Sequence, residues 1–545
     1  MKKTSKNLGS VKTITEPAAY QSDPLNVYRL LCKDKDHNIL LESAEIDKKH
    51  LLKSLLLTNA AVKIVCNDDT VTFSPLSKNG IAAIAFAAKQ LSTLAELSFK
   101  RCQCENTTAQ ALIAKFPVVA NELDEKSRLL AINPFESLRL YNRLENHTNH
   151  PFAVFLGGVF AFDMIAVSER LPQVIDGENT CPDFVYYLAE TLVIIDHERQ
   201  STEIIANIFS YEEHTNYSAE ITQRVADYKM LLSGDITPKT ETDFRQAKIP
   251  SSDLSVMITT DKNDEEFCEI VDNLKENIRA GDIFQVVPSR TFSLPCLDCE
   301  LAYQELKISN PSPYMFYLKD SEFCIFGASP ESAIKYQQHN RQVEIYPIAG
   351  TRPRGLKSDG SICLDLDSRI ELELRLDKKE LAEHVMLVDL ARNDIARVSQ
   401  AGTRHVADLL KVDRYSHVMH LVSRVCGTLS LELDALHAYQ ACMNMGTLSG
   451  APKIKATELI RQVEGKRRGS YGGAVGYITG MGEMDTCIVI RSAFVKDGIA
   501  QIQAGAGVVY DSIPQAETNE TRQKAQAVLN AIALANDRTQ RGVWS

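Results

Sequence analysis

Short apolar runs closed by glycine, proline or a polar turn follow one another along this chain, and they limit what it can fold into. "AVKIVC" (61–66), "FAVFLGGVFAFDMIA" (152–166) and "FVYYLAETLVIIDH" (184–197) come first. "FCIFGAS" (323–329), "QVEIYPIAGT" (342–351), "GGAVGYIT" (472–479), "TCIVIRSAFV" (486–495) and "IAQIQAGAGVVY" (499–510) follow. Such runs read as strands, and helical periods fall between them without strand-helix-strand regularity. The expectation is an α+β protein built on antiparallel sheets. Between 233 and 264 the composition turns polar in "SGDITPKTETDFRQAKIPSSD", with no sustained apolar period. This predicts an N-terminal domain at 25–232, a linker at 233–264 and a second domain at 265–535 carrying most of the chemistry.

Charge and cysteine usage narrow the function classes. With 71 acidic against 60 basic residues the net charge is -11, which argues against broad nucleic-acid binding. No apolar run is long enough to span a bilayer and no apolar signal core follows "MKKTSKNLGS", so the chain reads as cytoplasmic, with no membrane partner. Thirteen cysteines, an odd number, indicate reduced thiols. The single C-x-x-C, Cys296 to Cys299, lacks a second pair at zinc spacing and reads as structural. The basic cluster "GKRRGSYGG" reads as a solvated loop.

Two helices carry paired acids. In "KELAEHVMLVDLARND", Leu381, Val385 and Val388 recur at helical spacing, with Glu380 and Glu383 three apart. In "ETNETRQKAQAVLNAIALA", Ala525, Val528, Leu529 and Ile532 form the apolar stripe, with Glu517 and Glu520 at its edge. Four carboxylates meeting in one site would repel one another unless a cation joined them, and all-oxygen ligation suits magnesium. E-x-x-E is equally the mark of a solvated helix face. Arg491, in the otherwise apolar "CIVIRSAF", points to a buried anion or to a structural ion pair with a local acid. The glycines of "AGAG" (504–507) either expose backbone N–H groups to a ligand or permit tight sheet packing.

In order along the chain, "FQVVPSR", "NPSPYMFYL", "FGASPES", "YPIAGTRPRG", "ELAEHVMLVDLARND", "VMHLVSRV", "GTLSGAPK", "GSYGGAVGYI", "TCIVIRSA" and "QAGAGVVYDSIPQAETNET" resemble the chorismate-utilising enzymes, most closely the large subunits of anthranilate synthases. The resemblance implies antiparallel sheets stacked as an orthogonal β-sandwich with helices outside. It implies magnesium on Glu383 and Glu520, supported by Glu380 and Glu517, bridging to the ring carboxylate of chorismate. Tyr471, Arg491 and the backbone of Gly505, Ala506 and Gly507 would hold the enolpyruvyl carboxylate, and Gly350 and Thr351 would line the ring-carboxylate side.

By the same resemblance Glu331 would protonate the leaving C4 hydroxyl after ammonia attacks ring C2, and His420 would serve the elimination of pyruvate, with Thr447 the third catalytic residue. Taken alone, Glu331 could be a helix-capping acid. His417, one turn before His420, could be a core or surface histidine. Relatives that add water carry lysine where Gln285 stands, and para-aminating relatives carry lysine where Ala349 stands. Ortho amination is therefore expected, with aminodeoxychorismate synthase component I the alternative.

No cysteine follows a glycine at the Gly-x-Cys spacing of a glutaminase elbow, so a separate glutamine amidotransferase subunit (component II) is expected to supply ammonia, in a heterotetramer of two large and two small subunits. The family further implies a tryptophan effector site around "LLESAEI" and "NPSPYM", comprising Glu42, Ser43, Lys53, Asn310, Pro313, Tyr314, Met315 and Cys487. Ser43 could also be a helix cap.

Overall fold

The computed structural model describes residues 9–43, 53–104, 107–120, 122–146, 148, 150–210, 217–234, 258–357, 361–415 and 418–540. Mixed α and β structure is organised on large antiparallel sheets. The strand Phe184–Asp196 shows why the long apolar runs are strands. All of its residues are buried, and it pairs antiparallel with Lys53–Asn67, Phe155–Phe160 and Ser201–Ser210. A strand covered on both faces has no polar face to alternate with, so its sequence is almost continuously apolar.

The two halves of the chain share strand pairings. Asn38–Glu42 pairs with Tyr314–Lys319, and Phe155–Phe160 pairs with Ala474–Thr479. Of the expected linker, residues 235–257 lie outside the described residues; Thr259–Thr260 form a short strand against Ser289–Pro295, and Asn263 caps the helix Asp264–Ala280 with Glu266 completing a capping box.

One core cluster is contributed almost wholly by strands, including Val159, Val185, Tyr187, Phe316, Ile325, Val475 and Phe494. Burial of side chains of this size is worth about 1.5–3 kcal/mol each. Helices enter the two larger clusters. Lys78–Leu91 and Lys378–Ala396 contribute to one, and Pro24–Cys32, Cys299–Ser309 and Pro514–Gln540 to the other.

Both acid-bearing helices exist. The stripe Ala525, Val528, Leu529 and Ile532 is buried as expected. On Lys378–Ala396 the buried face is instead His384, Leu387, Val388, Ala391 and Ile395, and Val385 is 51% exposed. A buried histidine begins this face, its Nε2 2.7 Å from Ser423 Oγ, and a polar residue at that position is invisible to a count of apolar spacing.

Candidate active site

Glu331 lies between the strands Cys324–Ser329 and Ser332–Gln337, with no helix behind it to cap. Its backbone is fixed by Ile488 N donating to Glu331 O at 3.0 Å. The carboxyl is buried, and burial pushes it up to about 8 against the opposing influence of the Thr447 hydroxyl, Lys524 and the Ile348 N–H. It therefore carries its proton at neutral pH, the condition a general acid must meet. Thr447 Oγ1 is itself buried and, among the described residues, has no partner of good hydrogen-bond geometry.

Opposite, the strand Ile348–Pro353 runs beside Val418–Thr428, and the register shifts between Ala349 and Thr351. Gly350 fills the irregularity at φ +82, where a Cβ would stand 3.2 Å from Glu380 Oε2 and 3.1 Å from Leu374. Glycine is needed there for both reasons. Beyond the shift, Thr351 lies across from His420, with Thr351 Oγ1 2.9 Å from His420 Nδ1. Burial, then Arg491, lowers His420 to about 4 while the Gly350 backbone acts the other way. The imidazole is neutral at physiological pH and can accept a proton. His417 lies outside the described residues.

Arg491 is not inside a strand. The run "TCIVIRSAFV" breaks between Met484–Ile488 and Ser492–Lys496, and Arg491 turns the chain at φ +51. A non-glycine residue in this region stores conformational strain. Its guanidinium donates to the Lys524 carbonyl at 2.7 Å, and among the described residues it has no carboxylate ion pair. Burial lowers its affinity for its proton, with Tyr471 and Glu520 opposing. A buried cation of this kind, with no carboxylate at ion-pair distance among the described residues, is suited to an anionic ligand.

Tyr471 is buried against Gly505. A Cβ on Gly505 would come 2.6 Å from the Pro288 carbonyl and 3.1 Å from the Tyr471 hydroxyl. Ala506 donates to Pro288 O and Val508 to Val286 O, so Gly507 between them faces the opposite side, where a Cβ would sit 2.9 Å from Gln285 Nε2. Gln285 is buried and its Oε1 has no hydrogen-bond partner among the described residues. Gly505→Ala is expected to cost about 1–3 kcal/mol of stability through this crowding and to lower activity, which urea denaturation and steady-state kinetics would read together.

The acids of the two helices act on one another electrostatically. Burial pushes Glu383 up to about 7; Lys379 opposes, and Glu380, Glu520 and Glu517 add to the rise. Glu517 is likewise raised by burial and by Glu520, with Ser512 opposing. Basic side chains already attend the cluster: Arg352 to Glu380 at 2.8 Å, Lys524 to Glu520 at 2.7 Å and Lys379 to Glu383 at 3.8 Å. Among the described residues no three His, Cys, Asp or Glu side chains converge closely enough to enclose an ion. Magnesium needs no such cage, because it takes one or two carboxylates and completes its octahedron with water and ligand oxygens. Glutamates from two helices, close enough to influence one another's charge, fit that requirement.

Lys524 is the residue that the sequence reading missed. Its Nζ bonds Glu520 and the Gly505 carbonyl, the latter at 3.0 Å, and its charge acts on Glu331. Its place four residues after Glu520 on one helix was the available signal. The basic cluster also differs from expectation. Arg468 is buried with Glu464, while Lys466 and Arg467 pair with Glu178 and Asp183. A chain turn among acids and carbonyls, rather than a solvated loop, explains that cluster.

A cavity of about 670 Å³ is lined by Glu42, Ser43, Lys53, Pro313, Tyr314, Met315 and Cys487, and it extends past Pro330 and Ser332, on either side of Glu331, to Tyr415 and to Val422 of the His420 strand. Asn310 does not line it and sits at the end of the helix Cys299–Ser309. Ser43 Oγ donates to the Pro313 carbonyl at 2.9 Å, and the Glu42 carboxylate is held by Tyr303 and Lys307 at 2.5 and 2.6 Å. Residues 44–46 of "LLESAEI" lie outside the described residues.

The profile of the chorismate binding enzyme family matches residues 99–530. The chain is 54% identical over 534 residues to the anthranilate synthase component 1 of Vibrio cholerae, covering 97% of this chain and 98% of that protein. It is 52% identical over 528 residues to that of Escherichia coli, covering 97% and 98%. The crystal structure of anthranilate synthase component I from Streptococcus pneumoniae matches at a TM-score of 0.63 and 26% identity, covering 89% of this chain and 94% of that one. The menaquinone-specific isochorismate synthase of Escherichia coli shares the fold at a TM-score of 0.62 and 14% identity, covering 97% and 96%.

Proposed function

This chain belongs to the chorismate binding enzyme family, and we propose that it acts as an anthranilate synthase large component, a lyase joining chorismate and ammonia to give anthranilate, pyruvate and water at the entry to tryptophan biosynthesis. The observation that carries the reading is a buried carboxyl, Glu331, which burial pushes up to about 8, together with a buried guanidinium, Arg491, that has no carboxylate ion pair among the described residues, and four mutually interacting glutamates on two helices.

In this reading the Glu331 carboxyl gives its proton to the C4 hydroxyl, which leaves as water while ammonia bonds to ring C2. His420, neutral and oriented by Thr351, is placed to take the C2 proton as the bond to the enolpyruvyl oxygen breaks and pyruvate departs. Arg491, Tyr471 and the Gly505–Gly507 backbone would hold the enolpyruvyl carboxylate, with Thr447 beside Glu331. Glu383 and Glu520, supported by Glu380 and Glu517, would hold magnesium, which when bound pairs the charge of the ring carboxylate. Gln285 cannot act as a base toward water, and Ala349 supplies no amine for para chemistry, so ortho amination is favoured over the aminodeoxychorismate reaction.

The remaining parts of the reading follow from the same family. Sheets stacked orthogonally, a glutamine amidotransferase component supplying ammonia, a heterotetramer of two large and two small subunits, and a cytoplasmic site of action are all proposed here. Among the described residues no helix is long and apolar enough to cross a membrane. Incubating the purified chain with chorismate, ammonium and magnesium should yield the fluorescence of anthranilate, and a chelator should abolish it. Absence of an aromatic amine with all three present would overturn the assignment.

For the cavity at Ser43 we propose tryptophan as the occupant. Its volume is that of a small-molecule site. Ser43→Leu is expected to raise the tryptophan concentration for half-inhibition by about tenfold or more, the worth of one good hydrogen bond with its steric surroundings, while activity without tryptophan is retained. Unchanged inhibition would remove the assignment.

A further inference from the structure

Three thiols gather far in sequence from the acid cluster. The strand Ser289–Pro295 ends at Cys296, and the helix Cys299–Ser309 starts just beyond, with the Asp298 side chain accepting from Leu301 N at 2.9 Å. Cys296 Sγ and Cys299 Sγ stand 4.0 Å apart, and Cys324 brings a third thiol to Cys299. Cys296 and Cys324 are buried, whereas Cys299 is partly exposed. The connecting loop is fastened on both sides. Cys296 N donates to Gly498 O at 2.8 Å, Leu297 N to Asn536 Oδ1 at 3.0 Å, and Asn536 Nδ2 to Pro295 O at 2.7 Å.

We propose that Cys296 and Cys299 form a reversible dithiol–disulfide site that is oxidised by low-molecular-weight disulfides such as oxidised glutathione. The pair is already adjacent on a loop fixed by these three hydrogen bonds, so closing to a bond of about 2.05 Å requires side-chain rotation and little loss of chain freedom. The accessible member is also the activated one. Contacts from the Cys296 and Cys324 thiols draw the Cys299 thiol below its ordinary value, against burial and Asp298, and the same Cys299 contact raises Cys296. A thiolate at a helix start, backed by a buried thiol that can resolve it, is the arrangement of a reactive C-x-x-C.

The Cys299 thiolate attacks one sulfur of glutathione disulfide, breaking that S–S bond and releasing one glutathione thiolate. Cys296, losing its proton to that thiolate, then attacks Cys299 Sγ and displaces the second glutathione. The protein dithiol is oxidised by two electrons and one glutathione disulfide is reduced to two glutathiones; the Cys296 proton ends on the first, and the second leaves as a thiolate that takes from solvent the proton Cys299 had already given up. The inference stands apart from the reaction proposed above, and its test uses no activity assay.

The full chain is equilibrated in glutathione buffers of graded oxidation, free thiols are alkylated, and the peptides are read by mass spectrometry. A Cys296–Cys299 disulfide that forms while the similarly accessible Cys102, Cys268 and Cys363 remain thiols, and that dithiothreitol reverses, is the expected result. In Cys296→Ser, Cys299 should be trapped as the mixed disulfide with glutathione. In Cys299→Ser, Cys296 should capture none. The proposal is overturned if Cys296 and Cys299 alkylate as thiols in buffers that modify Cys268 or Cys363, or if Cys299 in the Cys296→Ser protein stays unmodified.

Discussion

Glu331→Gln is expected to lower kcat for ammonia-dependent turnover by about 10²–10⁴-fold, the usual worth of a general acid, with the KM for chorismate changed far less. Glutamine keeps the size of the side chain and the contact toward Thr447, but its amide cannot deliver a proton to a leaving hydroxyl. The pH dependence gives the signature that distinguishes a proton donor from a structural carboxyl. Burial holds Glu331 at about 8, so the acid form is populated below that pH and is lost above it. Wild-type kcat/KM should therefore fall as pH rises through about 8, the free-enzyme limb, and the variant's small residual rate should not follow that curve. A variant retaining most of the wild-type kcat would remove Glu331 from the reaction.

The second large effect concerns stability. The Glu464 carboxylate accepts from Ser289 N at 2.9 Å, Ser289 Oγ at 2.7 Å and Arg468 Nε at 2.9 Å. Arg468 also donates to Leu448 O at 2.8 Å and Val287 O at 2.7 Å, and its guanidinium lies 4.5 Å over the Phe162 ring and 5.4 Å over that of Tyr471. Both side chains are almost wholly removed from water, at 2% and 1% exposure.

Removing one member leaves the other charge unpaired in a dry interior, which costs about 3–5 kcal/mol. Glu464→Ala should thus lose a large part of the roughly 5–15 kcal/mol that stabilises a folded protein, visible as a much lower urea midpoint. Replacing both residues by apolar ones of similar size should cost less than the single change, because no buried charge is then stranded. Equal losses would mean that packing, rather than pairing, is what the two residues supply. Since the pair holds the backbone at 287–289 beside Gly505 and supports Tyr471, the single variant should also bind chorismate more weakly.

The parts of this molecule that the sequence discloses are those governed by local spacing. Ala525, Val528, Leu529 and Ile532 form a buried stripe because helix geometry places them on one face, and the continuous run at 184–196 announces a strand covered on both sides. What escaped depended on distant partners. Arg491 sits in an apolar run that reads as one strand, and the left-handed turn that breaks it leaves no glycine to mark it. Val385 fits the apolar spacing, yet His384 is the residue turned inward, because Ser423 on a neighbouring strand meets its Nε2. Arg468 looked solvated among glycines and basic neighbours, and its carbonyl partners, Val287 and Leu448, come from remote segments. Glu464, four residues before it, was the one local sign of a pair.

The reaction itself can be tested without any variant. The chain is given chorismate, magnesium and ¹⁵N-labelled ammonium, and the product is followed by nuclear magnetic resonance. The account predicts the label on the ring carbon next to the one bearing the carboxylate, in an aromatic product formed together with free pyruvate. Label at the para position with the enolpyruvyl group retained, or a hydroxylated isomer of chorismate carrying no nitrogen, would contradict it.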